Sequence, residues 1–145
     1  MSKYKKILRV EMAAFPKPRP RVVKKQQRGK KPLIMTFMPK KYQEQRDEFK
    51  RQIGKIVIPD DKAYSLTVNS FRQIPKSWSI AKKAEMKGQW CQSTPDLDNM
   101  IGGIMDSLPW PGDNGDKLVV KMTGEKRWSD RANGSPYCVI VIEEV

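Results

Sequence analysis

The alternation of apolar and polar side chains predicts five β-strands. In the first of them, Leu8, Val10 and Met12 alternate with charged side chains, as expected for a strand with one buried face. The same pattern, or a short apolar run bounded by prolines, recurs further along the chain. The predicted strands cover residues 4–12, 33–38, 63–71, 118–122 and 137–142.

A different spacing predicts a helix that begins near position 40. Tyr42, Phe49, Ile53 and Ile56 recur at intervals of seven, four and three residues, so they share one face of a helix whose other faces are charged. Such an apolar stripe is typical of a helix that packs against a core rather than of a binding site.

The order of the elements predicts the fold class. A second helix is expected over residues 97–108, whereas the polar, lysine-rich segment 73–92 indicates a long loop or a short helix. The resulting order is β-β-α-β-loop-α-β-β, without internal repeats. We therefore expect one α/β (α+β) domain over residues 1–145, with a mixed β-sheet packed against two main helices.

The residue types and motifs that the sequence lacks exclude several classes of catalytic and metal site. The chain of 145 residues has two cysteines and no histidine, which excludes His-dependent nucleophilic catalysis, His-based zinc sites and a four-cysteine metal site. No P-loop or dinucleotide-binding glycine motif occurs, so we expect no nucleotide cofactor. No apolar run approaches the ~20 residues that cross a bilayer. With no signal peptide evident, we expect a cytoplasmic protein without a membrane partner.

Positive charge is concentrated near the N-terminus. The formal net charge is +13, and residues 1–55 hold 18 basic and 4 acidic side chains. Prolines alternate with basic residues over positions 16–21, which keeps the chain extended with its cations pointing outward. Such a ribbon can follow a phosphate backbone, although a solvated loop is the alternative. The residues expected to contact DNA are Lys17, Arg19, Arg21, Lys24, Lys25 and Lys76.

Three aspartates are candidates for a metal site. Asp96 and Asp98 lie where an extended segment enters the second predicted helix, and Asp116 follows a Pro/Gly-rich loop just before a strand. This order allows three carboxylates to converge, and crowded carboxylates need either raised pKa values or a divalent cation. Mg²⁺, with Mn²⁺ as the alternative, binds a few carboxylates together with water and phosphate oxygens. A pair of such ions can promote phosphodiester hydrolysis.

Each aspartate also has a purely structural explanation. Asp96 could cap the helix, Asp98 could interact with the positive end of the helix dipole, and residues 113–116 could form an ordinary turn. Two functions therefore stay open: a metal-dependent nuclease, or a non-catalytic basic module that binds DNA or RNA. A restriction-enzyme site is excluded, because no acidic residue after Asp96 has a lysine two positions further on.

Several motifs resemble the RusA family of Holliday-junction resolvases found in phages and prophages. They are PKPRPRV at 16–22, the region of Tyr42, IPKSW at 74–78, PDLDN at 95–99, and the helical continuation IMDSL at 104–108. The resemblance implies a homodimeric, Mg²⁺-dependent crossover-junction endodeoxyribonuclease. Such an enzyme binds four-way DNA junctions and places paired nicks in opposing strands during DNA recombination and repair. If the chain is phage-encoded, it would act in the host cytoplasm.

The resemblance also implies roles for individual acidic residues. By that match, Asp96, Asp98 and Asp116 would be the catalytic, metal-binding carboxylates. Asp113 would be a substitute for Asp116 as a metal ligand. Asn99 would support the cluster from outside the set of metal ligands.

The chain departs from the family at one position. Family members commonly have a lysine one helical turn after the second aspartate, where this chain has Gly102 followed by Gly103. Lys76, Lys117 or Lys121 could supply the missing cation from another element. Each glycine inside a helix costs about 1 kcal/mol relative to alanine. A close approach by DNA or by a partner helix would compensate for that cost.

Two alternative roles can be given to each of two tryptophans in the polar segment 73–92. Trp78 and Trp90 could stack on splayed bases at a DNA branch, or they could pack in the core or against a partner chain. Dimerisation itself rests on the resemblance and on the need for two coordinated cuts in a two-fold symmetric substrate.

Overall fold

Four strands form one mixed sheet, and two further strands form a separate hairpin. The computed structural model describes residues 3–112 and 115–145. Its elements are β1 (Lys5–Val10), β2 (Arg21–Lys25), β3 (Leu33–Phe37), α1 (Lys40–Ile53), β4 (Tyr64–Arg72), α2 (Ile80–Met86), α3 (Leu97–Ser107), a 3₁₀ helix (Gly115–Leu118), β5 (Val119–Trp128) and β6 (Tyr137–Glu144). The sheet order is β1-β6-β4-β5, with β4 and β5 parallel and the other neighbours antiparallel. The predicted α+β class, a single small domain, is confirmed.

The core lies between the sheet and the helices α1 and α3. Alternate residues of β4 are buried from Tyr64 onward, as the period-two pattern predicts. Tyr42 and Phe49 of α1 are fully buried and Ile53 packs against the core, so the apolar stripe is confirmed as a core face up to that residue. The helix ends at Ile53, so Ile56 packs against the core from beyond the helix and not, as predicted, from its apolar face. Phe15, from the segment after β1, packs edge-to-face against both rings, with centroids 5.8 and 6.0 Å apart. This contact brings the start of the basic ribbon onto the helical layer.

Two elements are longer or more regular than the pattern predicts. The strand expected over 118–122 is β5, which continues through a charged stretch to Trp128. It is an edge strand, so its polar side chains face solvent and the alternation is lost. The helix α2 lies inside the segment expected to be a long loop or a short helix, and Ser79 caps it by accepting a hydrogen bond from the Lys82 amide. Among the described residues, no helix has the length and apolar character to cross a bilayer.

The hairpin of β2 and β3 corrects one strand assignment. The segment expected as a sheet strand over 33–38 pairs instead with β2, which follows the basic ribbon, and the two strands form a sheet of their own. All five residues of β3 are exposed. Val22 and Ile34 are each 66 % exposed. An isolated two-stranded hairpin is only marginally stable in water, so these apolar residues favour a further contact.

Candidate active site

Asp96 and Asp98 lie at the N-terminal end of α3, as the sequence predicts. Asp96 occupies the N-cap position, and its backbone carbonyl accepts a hydrogen bond from the Met100 amide at 3.0 Å. Its carboxylate, however, makes no capping hydrogen bond. Asp98 lies in the first turn, where the helix dipole favours a negative charge. Capping therefore does not explain the carboxylate of Asp96, although the dipole does account for the position of Asp98.

The start of α3 is anchored to the edge strand β5. The ammonium group of Lys126 donates hydrogen bonds to the carbonyl oxygens of Ser93 and Pro95, both at 2.8 Å. Further along the helix, Ile101 packs so closely on β5 that a Cβ on Gly124 would come within 2.6 Å of its Cδ1 atom. These contacts fix the backbone that leads into Asp96.

Asp96 faces a cleft of about 620 Å³. The segment after β1, helix α1 and the loop before α3 enclose this cleft, and Asn99 also lines it. Lys41 from α1 and Arg72 from the end of β4 contribute positive charge to its wall. A carboxylate beside two cations suits a ligand that combines a phosphate group with a divalent metal ion.

Glu11 is a further carboxylate of this cleft, and no motif in the sequence indicates it. Its side chain pairs with the Arg131 guanidinium at 2.6 Å and with Arg9 at 3.7 Å. The hydrogen bond from Arg131 is the main reason that the pKa of Glu11 lies below its usual range. Glu11 is therefore an ionised carboxylate that lines the cleft and pairs with two arginines.

Asp116 lies at the opposite end of α3. It belongs to the 3₁₀ helix before β5, and it lines a cleft of about 290 Å³ together with Asp106 from the last turn of α3. Within residues 3–112 and 115–145, no three His, Cys, Asp or Glu side chains lie close enough to bind one metal ion. The described residues thus do not bring Asp116 together with Asp96 and Asp98 at one metal-binding position. Asp113 lies outside the described residues.

Asp106 is the centre of a polar network between α1 and α3. The Tyr42 hydroxyl donates to its carboxylate at 2.6 Å, and the cationic groups of Lys17 and Arg46 lie at 3.6 and 3.7 Å. Burial, and then the hydrogen bond to Asp106, raise the pKa of Tyr42. The network fixes the last turn of α3 and holds the Lys17 ammonium group beside Asp106.

The glycine pair of α3 makes room for the chain's own residues 15–17. A Cβ on Gly103 would collide with the carbonyl oxygen of Phe15. Next to this contact, the Lys17 amide donates a hydrogen bond to the carbonyl oxygen of Asn99 at 3.0 Å. The close approach that the glycines permit is thus made within this chain and not, as expected, by DNA or a partner helix.

A family model for endodeoxyribonuclease RusA matches residues 11–135. The match covers most of the chain, including the segment that packs on α3 and all the candidate aspartates. The chain belongs to the RusA family. The family consists of endodeoxyribonucleases, which hydrolyse phosphodiester bonds within DNA. No curated protein and no solved structure matches this chain.

In this RusA-family chain, Lys17 lies over the position where family members commonly have their lysine. A Cβ on Gly102 would lie 3.7 Å from the Cβ and 4.0 Å from the Cδ of Lys17. Asp98, Gly102 and Asp106 follow one another at intervals of four and so share one face of α3. The stem of Lys17 therefore crosses this face midway between the two aspartates.

The three lysines selected from the sequence lie elsewhere. Lys76 lines a separate cavity beside α2, Lys117 belongs to the 3₁₀ helix, and Lys121 is an exposed residue of β5. Of the other predicted DNA contacts, Arg19, Lys24 and Lys25 are exposed, and the side chain of Arg21 lies outside the described residues. The glycine pair was the one signal in the sequence that another segment approaches α3 at this point.

Proposed function

We propose that this RusA-family chain is a Mg²⁺-dependent endonuclease that resolves four-way DNA junctions by paired nicks. The observation that carries the proposal is the exposed carboxylate of Asp96, which occupies an N-cap position without capping the helix. Asp98 lies in the first turn of the same helix, and the adjoining cleft contains the cations Lys41 and Arg72. A non-catalytic DNA-binding module does not require a carboxylate at a phosphate-binding cleft.

Asp96 and Asp98 would bind the metal ion. Mg²⁺ in proteins commonly takes one or two carboxylates and completes its coordination with water and phosphate oxygens, which fits two exposed aspartates one residue apart. When bound, the ion supplies Lewis-acid activation of the phosphate and lowers the pKa of a bound water. Asn99 would support these two ligands, and Mn²⁺ would substitute for Mg²⁺.

The protein's own cations would position the DNA strand. Lys41 and Arg72 line the cleft that Asp96 faces, where they would bind the phosphates on either side of the reacting one. Lys17 is only half-buried, and rotation of its side chain would move the ammonium group from Asp106 toward Asp98. There it would stabilise the negative charge that develops on the phosphate during hydrolysis.

Replacing Lys17 by glutamine tests that role. Lys17→Gln removes the charge and keeps most of the stem, so we expect single-turnover cleavage at saturating protein to slow by about a hundredfold. Arg19→Gln, at an exposed position of the same basic ribbon, should weaken junction binding and leave the saturated rate within a few-fold of wild type. Equal rates for wild type and Lys17→Gln would contradict the assignment.

A homodimer would place two sites on a two-fold symmetric junction. The exposed apolar side chains of the β2–β3 hairpin support this proposal, because they form the kind of surface that a second copy of the chain would cover. Basic residues such as Lys24 and Lys25 on the same hairpin would then lie beside the DNA.

The decisive experiment for the proposed function compares substrates and metals. A labelled four-way junction and a linear duplex of matched sequence are incubated with the protein in Mg²⁺ or in chelator. We expect symmetric cuts in the junction, in Mg²⁺ only, and little or no cutting of the duplex. Tight junction binding without cuts in Mg²⁺ or Mn²⁺ would instead establish the non-catalytic module.

A further inference from the structure

An aromatic cleft of about 710 Å³ lies between α2 and the end of β5, outside the candidate active site. Its walls include Trp78, Trp90 and Trp128. Trp78 packs edge-to-face on the buried Trp128, with ring centroids 4.9 Å apart, and these two rings form a small second core with Ile74 and Cys91. The floor of the cleft is therefore fixed by packing.

Trp90 is the exposed member of the set. Its side chain is 54 % exposed, which is a large apolar surface to leave in water. The guanidinium group of Arg127 lies 3.7 Å from the ring centroid on one side and is held by the Gly88 carbonyl oxygen at 3.0 Å and by Glu125 at 3.5 Å. One face of the indole is thus covered by a restrained cation, and the remaining surface is available to a planar ligand.

Positive charge accompanies the rings of Trp78 and Trp90. The ammonium group of Lys82 lies 4.4 Å from the centroid of the Trp78 ring, and Arg127 lies on Trp90. Among the lining residues, Glu85 is the one acid. Aromatic rings interleaved with cations are the combination with which proteins bind unpaired nucleotides, because bases stack on the rings and phosphates pair with the cations.

The cleft is adjacent along the chain to the candidate active site. Gln92 and Ser93 line its rim, and Ser93 precedes Asp96 by only three residues, a span of at most about 10 Å. The hydrogen bonds from Lys126 to the Ser93 and Pro95 carbonyl oxygens hold this connection in place. A DNA strand with a phosphate at Asp96 would therefore have its neighbouring nucleotides near the cleft.

We propose that this cleft binds one unstacked nucleobase of the DNA strand whose phosphate lies at Asp96 and Asp98, with the base stacked on Trp90. The inference rests on the proposed function and adds a specificity site to it. Bases next to a branch point are readily unstacked, whereas those inside a continuous duplex are not. Trp90 therefore selects branched over linear DNA.

The test uses a fluorescent base as its probe. A four-way junction carries 2-aminopurine either next to the branch or in the middle of one arm, and the full chain is titrated in chelator so that no cleavage occurs. We expect a fluorescence change for the branch position alone. Trp90→Ala should abolish this change and lower junction affinity about tenfold or more. Its affinity for a linear duplex should stay within about twofold of wild type.

Two further variants separate stacking from general damage. Trp90→Phe keeps an aromatic face and should retain most of the junction affinity. Ile80→Ala, at an exposed position of α2 outside the cleft, should behave as wild type. Wild-type junction affinity in Trp90→Ala, or an unchanged 2-aminopurine signal with wild-type protein, would overturn the proposal.

The two proposals fail in different ways. If the wild-type protein cuts the junction in Mg²⁺ and Trp90→Ala binds and cuts it equally well, the base site is wrong and the nuclease stands. If the branch signal depends on Trp90 but no metal supports cleavage, the base site stands and the nuclease is wrong.

Discussion

Adjacent glycines of α3 have very different surroundings. A Cβ on Gly103 would meet the backbone of Phe15, whereas a Cβ on Gly102 would make an ordinary contact with the Lys17 side chain. We expect Gly103→Ala to lower the free energy of unfolding by about 1–3 kcal/mol, because the backbone of residues 15–17 must move. Gly102→Ala should leave it unchanged or raise it by up to about 1 kcal/mol through helix propensity.

Urea denaturation of the two variants checks this difference directly. Because both substitutions add the same methyl group at neighbouring positions of one helix, their comparison removes most of the common propensity effect. Similar midpoints for Gly102→Ala and Gly103→Ala would show that residues 15–17 do not pack on α3 as described.

At the scale of residues, the sequence predicts the position of a candidate site residue when its motif lies within one short segment. Asp96 and Asp98 fall within one short run at a helix start, so their positions could be assigned without a structure. The partners of Asp106 could not, since Tyr42 lies 64 residues away and meets it only through helix packing. The contact of Lys17 with α3 could not be predicted for the same reason.

At the scale of elements, the exposed hairpin makes the clearest prediction. If the apolar faces of β2 and β3 are covered by a second copy of the chain, Ile34→Asp buries a charge in that interface and should convert a dimer into a monomer. Sedimentation at micromolar protein measures the change. Val57→Asp, at a position 83 % exposed outside the hairpin, is the matched control and should remain dimeric.

A dimer that survives Ile34→Asp unchanged would place the interface on another surface. A wild-type protein that sediments as a monomer at all concentrations would contradict the homodimer itself. Junction cleavage by the same variants then shows whether paired nicks depend on the assembly.

Strands and helices could be predicted from the sequence where one face of the element is buried. Strands β1, β4 and β6 and helices α1 and α3 all contribute to the core, and all were predicted close to their observed bounds. The end of β5 and the pairing partner of β3 could not be predicted in this way. An edge strand and an isolated hairpin expose both polar and apolar side chains, so the alternation is lost. Their position is set by neighbours that no local pattern reveals.

At the scale of the whole molecule, the buried thiol of Cys138 links folding to pH. Burial, assisted by the charge of Glu11, raises the pKa of this thiol from 9.0 to about 12. Between pH 9 and 12 the folded protein therefore keeps the thiol proton that the unfolded chain loses. The resulting stability is complete below about pH 9 and is lost as the pH rises toward 12, with a slope of up to about 1.4 kcal/mol per pH unit.

Replacing the thiol by a group that does not ionise should flatten this profile. Cys138→Ala is expected to be less stable than wild type at pH 7, because a buried side chain is truncated, but to lose stability less steeply between pH 9 and 11. Urea unfolding across that range measures both slopes. Identical slopes would mean that the thiol ionises equally in the folded and unfolded chains.

The central claim is that carboxylates at the start of α3 catalyse DNA cleavage with Mg²⁺. The most direct measurement is single-turnover cleavage of a four-way junction by Asp98→Asn, alongside Asp47→Asn as a control at an exposed position of α1. We predict that Asp98→Asn loses cleavage by about a hundredfold or more while binding the junction at least as tightly as wild type, and that Asp47→Asn cuts normally. An Asp98→Asn protein that cuts at the wild-type rate would contradict the account.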